Sequence, residues 1–262
     1  MALLIGIVDQ IQKAPLRGAF LLFISLSSLN VHAASCSPCD SRPLEVAHVH
    51  DGDTLRLKDG RKLRLIGVNT PELGNGVDPE PGALAAKQLL ETLVNRGGGR
   101  VRVCLDADAE DRYGRTLAHI YGPRGESITH QLLKLGAGHH VVIPPNLRNL
   151  RCYQEAEREA REGASGIWRL PIRDTSQLRG DESGFHILTG RVVRIGRSRS
   201  GLWLNLEGGL ALRITWDDWN RFHIEEADLL LDARIEVRGW IYHRKGSQRM
   251  RVRHPASIRW LE

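Results

Sequence analysis

From residue 45 to 69 apolar and polar residues alternate in runs of a few positions, each run cut by an Asp-Gly or Thr-Pro break. A period of two puts successive side chains on opposite faces, so the stretch demands half-buried strands and excludes a helix. Val46, His48 and His50 alternate with Ala47 and Val49, and Asp51-Gly52-Asp53 then turns the chain. Leu55 and Leu57 flank Arg56, Asp59-Gly60 is a hairpin signal, and Leu63 and Leu65 flank Arg64 on the way to Val68. After a polar loop at 73–82, Leu84, Leu89, Leu90 and Leu93 fall on one side of a predicted helix at 83–95, stopped by Gly97 to Gly99. Strands at 101–105 and 116–121, a turn at 111–114, a short helix at 127–135 and a charged helix at 149–161 follow, the unit closing at Ile167-Trp168.

Residues 169–184 are polar, with Pro171, Gly180 and Gly184, and read as a linker. Beyond it strands are expected at 187–196, 202–207 and 210–215, a helix at 216–232, and two long strands at 234–243 and 248–260. Five strands with a helix between the third and fourth is the order of an OB-type barrel. The chain therefore reads as mainly β with α, and 185–262 as a second, smaller OB-like domain.

Lys13 and Arg17 precede an apolar run from Gly18 to Val31 that ends in Val31-His32-Ala33, the pattern of a signal peptide over 1–33. The run is too short for a stable span, and no later segment is apolar enough to cross a membrane. Export to a periplasm or the medium is the expectation, without a lipid on Cys36, because Ala33-Ala34-Ser35 lacks the leading leucine. An oxidising compartment suits the four cysteines, Cys36, Cys39, Cys104 and Cys152, as disulfides. Cys36 and Cys39, in a short segment at 34–43, are expected to pair locally and Cys104 with Cys152, against the other pairings four cysteines allow. A single C-x2-C makes neither the usual four-cysteine zinc site nor, right after a cleavage point, a thioredoxin-like motif.

The net charge of +6 is unevenly spread. Residues 34–184 balance at 21 of each sign, whereas 185–262 carry 14 basic and 9 acidic residues, net +5. That segment also holds Trp203, Trp216, Trp219, Trp240 and Trp260, and arginines beside aromatics suit single-stranded nucleic acid. The plainer reading makes Trp203 and Trp240 core and the arginines a solvated face.

Three segments carry chemistry. Asp51-Gly52-Asp53-Thr54 brings two carboxylates onto one glycine turn, as a hard cation requires. Arg64 through Asn69-Thr70-Pro71-Glu72 supplies a cation, oxygen ligands and a carboxylate, and Asp111-Arg112-Tyr113-Gly114-Arg115 presents arginines and a tyrosine on a tight turn. Phosphodiester hydrolysis needs these types: a cation to polarise the phosphoryl oxygen, guanidinium forks for the growing charge, and a carboxylate to orient water. His48-Val-His50-Asp51 superficially suggests a metallo-β-lactamase-like cluster, but its acid is out of step.

These motifs, in this order, resemble the staphylococcal nuclease family over about residues 44–168. The resemblance implies an OB-type barrel with helices, hydrolysis of DNA or RNA, and calcium or another divalent metal. It makes Asp53 the main metal ligand, Thr70 a backbone-carbonyl ligand, and Asp51 an acid near the metal. Glu72 becomes the general base, Arg64 and Arg115 the pair on the scissile phosphate, and Arg112 and Tyr113 contacts to the nucleotide. Asn69 stands where a second metal-binding aspartate is expected, which removes one charge and predicts weaker calcium binding. Val141-Val142-Ile143 lacks a base-stacking tyrosine, for which His139 or His140 are candidates. The rival is a barrel that has lost catalysis and only binds nucleic acid; the intact set Asp53, Arg64, Glu72 and Arg115 argues against it.

Overall fold

The computed structural model describes residues 36–37, 39–74, 78–224 and 226–261. The expected leader at 1–33 lies outside the described residues. The first barrel comprises β1 (Leu44–Val49), β2 (Thr54–Leu57), β3 (Lys62–Leu65), β5 (Arg100–Cys104) and β6 (Thr116–Tyr121). It closes in the order β1-β2-β3-β6-β5 and back to β1, with β3 and β6 parallel. Alternation sets its core: Leu55, Leu57, Leu63 and Leu65 are buried while Arg56 between them is exposed. Just after β3, β4 (Val68–Asn69) pairs antiparallel with β7 (His139–His140), which comes after β6 in sequence.

Helices α1 (Ala83–Arg96), α2 (Ile128–Lys134) and α3 (Leu150–Glu162) cover the barrel. The α1 stripe differs from expectation. Ala83, Ala86, Leu90, Leu93 and Val94 face inward, and Leu84, one residue and so about 100° off that stripe, is 58% exposed.

Past Trp168, β8 (Arg173–Asp174) runs parallel to β9 (Gly184–Ser198) inside the stretch expected to link the units. The second barrel adds β10 (Gly201–Leu206), β11 (Ala211–Ile214), β12 (Arg234–Arg244) and β13 (Ser247–Arg251). It closes β9-β10-β11-β13-β12 and back to β9, again with its third and fifth strands parallel, so the two barrels share one topology. The helix expected at 216–232 shrinks to one turn, α4 (Trp216–Trp219), and a 3₁₀ turn at Ala227–Leu230. Between them His223 takes a left-handed φ of 52°, so Phe222, Ala227 and Leu230 pack on the barrel core without helical spacing. The strand expected at 248–260 is also broken, because Pro255 opens a 3₁₀ turn before β14 (Ile258–Leu261).

Charge joins the barrels. Arg238 Nη1 donates to Glu157 (2.6 and 2.8 Å) and to the His140 carbonyl (2.9 Å), and Arg161 donates to Glu236 (2.7 Å). The expected cysteine pairing is overturned: the bonds are Cys36–Cys152 and Cys39–Cys104. Ser37 donates its N–H to Asn149 at the head of α3, and Arg102 of β5 donates to the Ser41 carbonyl. The segment therefore spans from α3 to β5, and each cysteine meets the partner at its own end. None of the described helices is long and apolar enough to cross a membrane.

Candidate active site

The turn after β1 places Asp53 with only 5% of its surface exposed. Its Oδ2 accepts from the Thr70 N–H (2.9 Å) and hydroxyl (3.2 Å), and its Oδ1 from the Thr54 hydroxyl (3.1 Å). Arg64 Nε lies 3.1 Å from the same Oδ1. Asp51 Oδ1 accepts the Asp53 N–H at 3.0 Å, which fixes the turn. Gly52 is there because of close approach: a Cβ would sit 2.6 Å from Ala86 Cβ and 2.7 Å from Thr70 Oγ1.

Arg64 is tied down along its length. Nη1 donates to the Leu65 and Val68 carbonyls (2.6 and 2.7 Å) and Nη2 to Asn69 Oδ1 (3.0 Å). Of its five N–H groups, one is left for a ligand. Asn69 is buried, its backbone pairs with His139, and its side-chain oxygen is turned to Arg64. Gly67 permits this return of the chain by its left-handed φ of 88°, with the Tyr153 ring against it.

Electrostatics bind the carboxylates into one group. Burial raises the Asp53 carboxyl above its ordinary value, Arg64 opposes this, and Asp51 adds to it. Burial also raises Glu72, reinforced by Asp53 and Asp51 and opposed by Arg64. Glu72 is on the exposed mouth of the site, and its N–H donates to Glu80 (2.9 Å). A buried acid beside two like-charged neighbours is an arrangement that a cation relieves. Among the described residues no three or more His, Cys, Asp or Glu form a metal cage. The donors present, Asp51, Asp53, Thr70 and the Asn69 amide, are all hard oxygens. They suit a hard divalent cation and not a soft one, with one charge fewer than an Asp at 69 would bring.

The turn at 111–115 enters β6, whose Leu117 lies beside Arg64 in the parallel register. Burial works against the Asp111 charge, but donors from Arg115 and Tyr113 outweigh it and hold the carboxyl low. Asp111 Oδ2 takes Arg115 Nε at 2.7 Å, leaving both terminal nitrogens of Arg115 without a hydrogen-bond partner among the described residues, the guanidinium 5.5 Å from the Tyr113 ring centre. Tyr113 is 67% exposed, with Arg112 stacked 4.8 Å from its ring centre. Among the described residues no hydrogen bond or ion pair joins this turn to Asp53 or Glu72. Thr54 and Asp111 stand in the motifs read from the sequence, but without a role there, and Glu80 is not singled out at all.

His139 and His140 do not serve as stacking surfaces for a base. Both rings are packed inside, His139 against Trp168 and Phe185, and burial drops each to about 3. Trp203 and Trp240 are not core residues either: Trp203 is half-buried, and Trp240 is 43% exposed.

Sequence comparison fits this arrangement. The profile described as staphylococcal nuclease homologue matches residues 62–170, which hold Arg64 to Glu72 and Arg112 to Arg115. The thermonuclease of Staphylococcus intermedius is 36% identical over 128 residues, 47% of this chain and 74% of that protein. The thermonuclease of Staphylococcus hyicus is 33% identical over 141 residues, 52% of this chain and 81% of that protein. Endonuclease YncB of Bacillus subtilis is 34% identical over 125 residues, 45% of this chain and 57% of that protein. With its barrel, its motifs and these relatives in agreement, the chain belongs to the staphylococcal nuclease family and is a nuclease.

Proposed function

We propose that this nuclease is an exported endonuclease that hydrolyses DNA or RNA with a hard divalent cation, calcium above all. The observation that carries the reading is the cluster of Asp51, Asp53 and Glu72 under the influence of Arg64, all in mutual electrostatic reach. When bound, the cation would polarise a phosphoryl oxygen and relieve the crowding of carboxylates. Asp53, Asp51, the Thr70 carbonyl and Asn69 are the residues to hold it. Glu72, half out of the cluster and raised by it, takes the proton of the attacking water. Arg115 has its fork free for bidentate grip of the scissile phosphate, and Arg64 adds its one remaining N–H. Tyr113 and Arg112 meet the nucleotide beside them. In this reading 44–168 is the nuclease domain and 185–262 a basic OB-like domain joined through 169–184. Two disulfides support an oxidising compartment.

The test uses residues 34–262 produced under oxidising conditions. Single- and double-stranded DNA and RNA are incubated with calcium, magnesium or chelator, beside Glu72→Ala and Arg115→Ala. Metal-dependent cleavage that both variants lose is expected. Retardation of nucleic acid with no cleavage in any metal would replace the reading with that of a binding protein.

A further inference from the structure

The outer face of the second barrel carries a feature that hydrolysis at Asp53 does not use. On β10 Leu202, Leu204 and Leu206 point into the core, so Trp203 points out. Its strand neighbours are Gly196 on β9 and Arg213 on β11, and the glycine leaves one side of the indole without a side chain against it. Arg249 stands 4.9 Å and Arg213 5.9 Å from the ring centre. No carboxylate lies within ion-pair distance of either arginine among the described residues, and both Nε atoms are buried without a hydrogen-bond partner. The attraction of each guanidinium to the ring offsets only part of the repulsion between two charges that face no acid. The arrangement suits a base on the ring and a phosphate on each side.

The feature does not stand alone. Arg251 pairs laterally with Arg213, and its charge is met by Asp218, which Arg221 also contacts. Two residues on, Arg253 is half-buried with no acid within ion-pair distance among the described residues. Burial holds its guanidinium below the ordinary value, with Arg251 pushing the same way and Asp218 against it. Arg249, Arg251 and Arg253 alternate with the buried Met250 and Val252, so a row of cations runs along one face of the second barrel.

We infer that the Trp203–Arg213–Arg249 face, extended by Arg251 and Arg253, is a second binding site for single-stranded nucleic acid. The bound class is a flexible phosphodiester strand with unpaired bases, because stacking on Trp203 needs an accessible base face. Strand binding on this face does not depend on the nuclease reading; only its effect on cleavage does. Its role is to hold the strand beyond the cut, so its loss weakens long substrates and leaves short ones alone.

The experiment uses the oxidised chain with labelled oligothymidylates, from a dinucleotide to about 20 residues, a length of more than one OB-fold site. Affinity is read by anisotropy in chelator at low salt, and KM and kcat with metal. Trp203→Ala and the pair Arg213→Glu with Arg249→Glu are compared with the parent, each checked by thermal melting. Because Trp203 could matter to folding, the arginine pair serves as the independent variant. The long oligomer is expected to bind about tenfold more weakly in both, with a shallower salt dependence, a raised KM and unchanged kcat. Cleavage of the dinucleotide should be unaffected. If both variants bind and cut the long oligomer like the parent, the inference is wrong, whatever the enzyme does at Glu72. If the parent cuts nothing but both variants lose the oligomer, the second site stands and the catalytic reading falls.

Discussion

Arg64 and Asn69 are joined by a 3.0 Å hydrogen bond from Nη2 to Oδ1, and the same guanidinium holds Asp53 and two carbonyls of its own loop. Arg64 is thus more scaffold than hand, whereas Arg115 is held only at Nε. Replacing each by Lys should separate the roles. Arg64→Lys leaves buried acceptors unmet and is expected to cost about 2–3 kcal/mol, with roughly 2–4 °C lost per kcal/mol. Arg115→Lys should melt within about 1 kcal/mol of the parent yet lose at least tenfold in kcat, because it loses the fork. Calorimetry and steady-state cleavage decide; equal melting losses would rule out the distinction.

Asn69→Asp puts a further charge beside Asp53 in a buried loop. Without metal, the new carboxylate must share the Arg64 guanidinium with Asp53, so the variant should melt no higher than the parent. With calcium, it should gain more than the parent does, since the cation binds the folded chain tighter, and stabilisation grows with ligand over Kd. Melting curves in chelator and in a calcium series test both halves. An identical calcium increment in the two proteins would remove Asn69 from the ligand set.

Glu236 predicts how the chain responds to acid. Its carboxyl is 1% exposed; burial works against its charge, but the Arg161, Arg238 and Arg259 guanidiniums outweigh burial and hold its pKa at about 2. A folded pKa below the unfolded one gives stability that is present above the unfolded value, about 4.3, and is lost as pH falls towards 2. The full contribution is on the order of 3 kcal/mol. Glu236→Gln should melt lower than the parent at neutral pH, and the gap should close between about pH 4 and pH 2. A gap that persists unchanged at the acid end would mean that this carboxylate is not what the barrels lose.

Gly52→Ala should disturb the site through Thr70, because the added methyl collides with both Thr70 and Ala86. Overpacking of this kind costs about 1–3 kcal/mol. Adding Ala86→Gly removes one of the collisions and should restore part of the melting temperature. Activity should stay low in the double variant, since the Thr70 clash remains. Full activity with Ala at 52 would show that the Asp53–Thr70 contact is dispensable.

What the sequence revealed follows from which forces are local. Alternation exposed the strands from Val46 to Val68, since burial of one face repeats every second residue, and Ser127 and Gly97 marked helix ends by their own backbone chemistry. Leu84 was misplaced because the spacing of leucines alone ignores the small residues Ala83 and Ala86 on the true inner face. The 216–232 helix failed because Phe222 and Leu230 reach the core through an irregular loop that no period describes. At the site, the residue types and their order were legible. The locking of Arg64 was not, because its carbonyl acceptors are backbone groups that every sequence possesses. Nor could the pairing of Arg238 with Glu157 be read, since only the docking of two barrels creates it.

The cystine connectivity also sets an order of events. Cys36 and Cys39 emerge first and sit three residues apart, yet each must wait for a thiol much later in the chain, separated by 116 and 65 residues respectively. The nearest thiol to each on a newly made chain is therefore the wrong one. In an oxidising compartment, quick oxidation would trap that short loop, and the native bonds would then need thiol exchange through mixed disulfides. Cys152 lies on α3, so Cys36 can find it only after the last helix of the first barrel has been made. A host that oxidises thiols without reshuffling them should then accumulate a misbridged, protease-sensitive form, which non-reducing gels would separate from the native one.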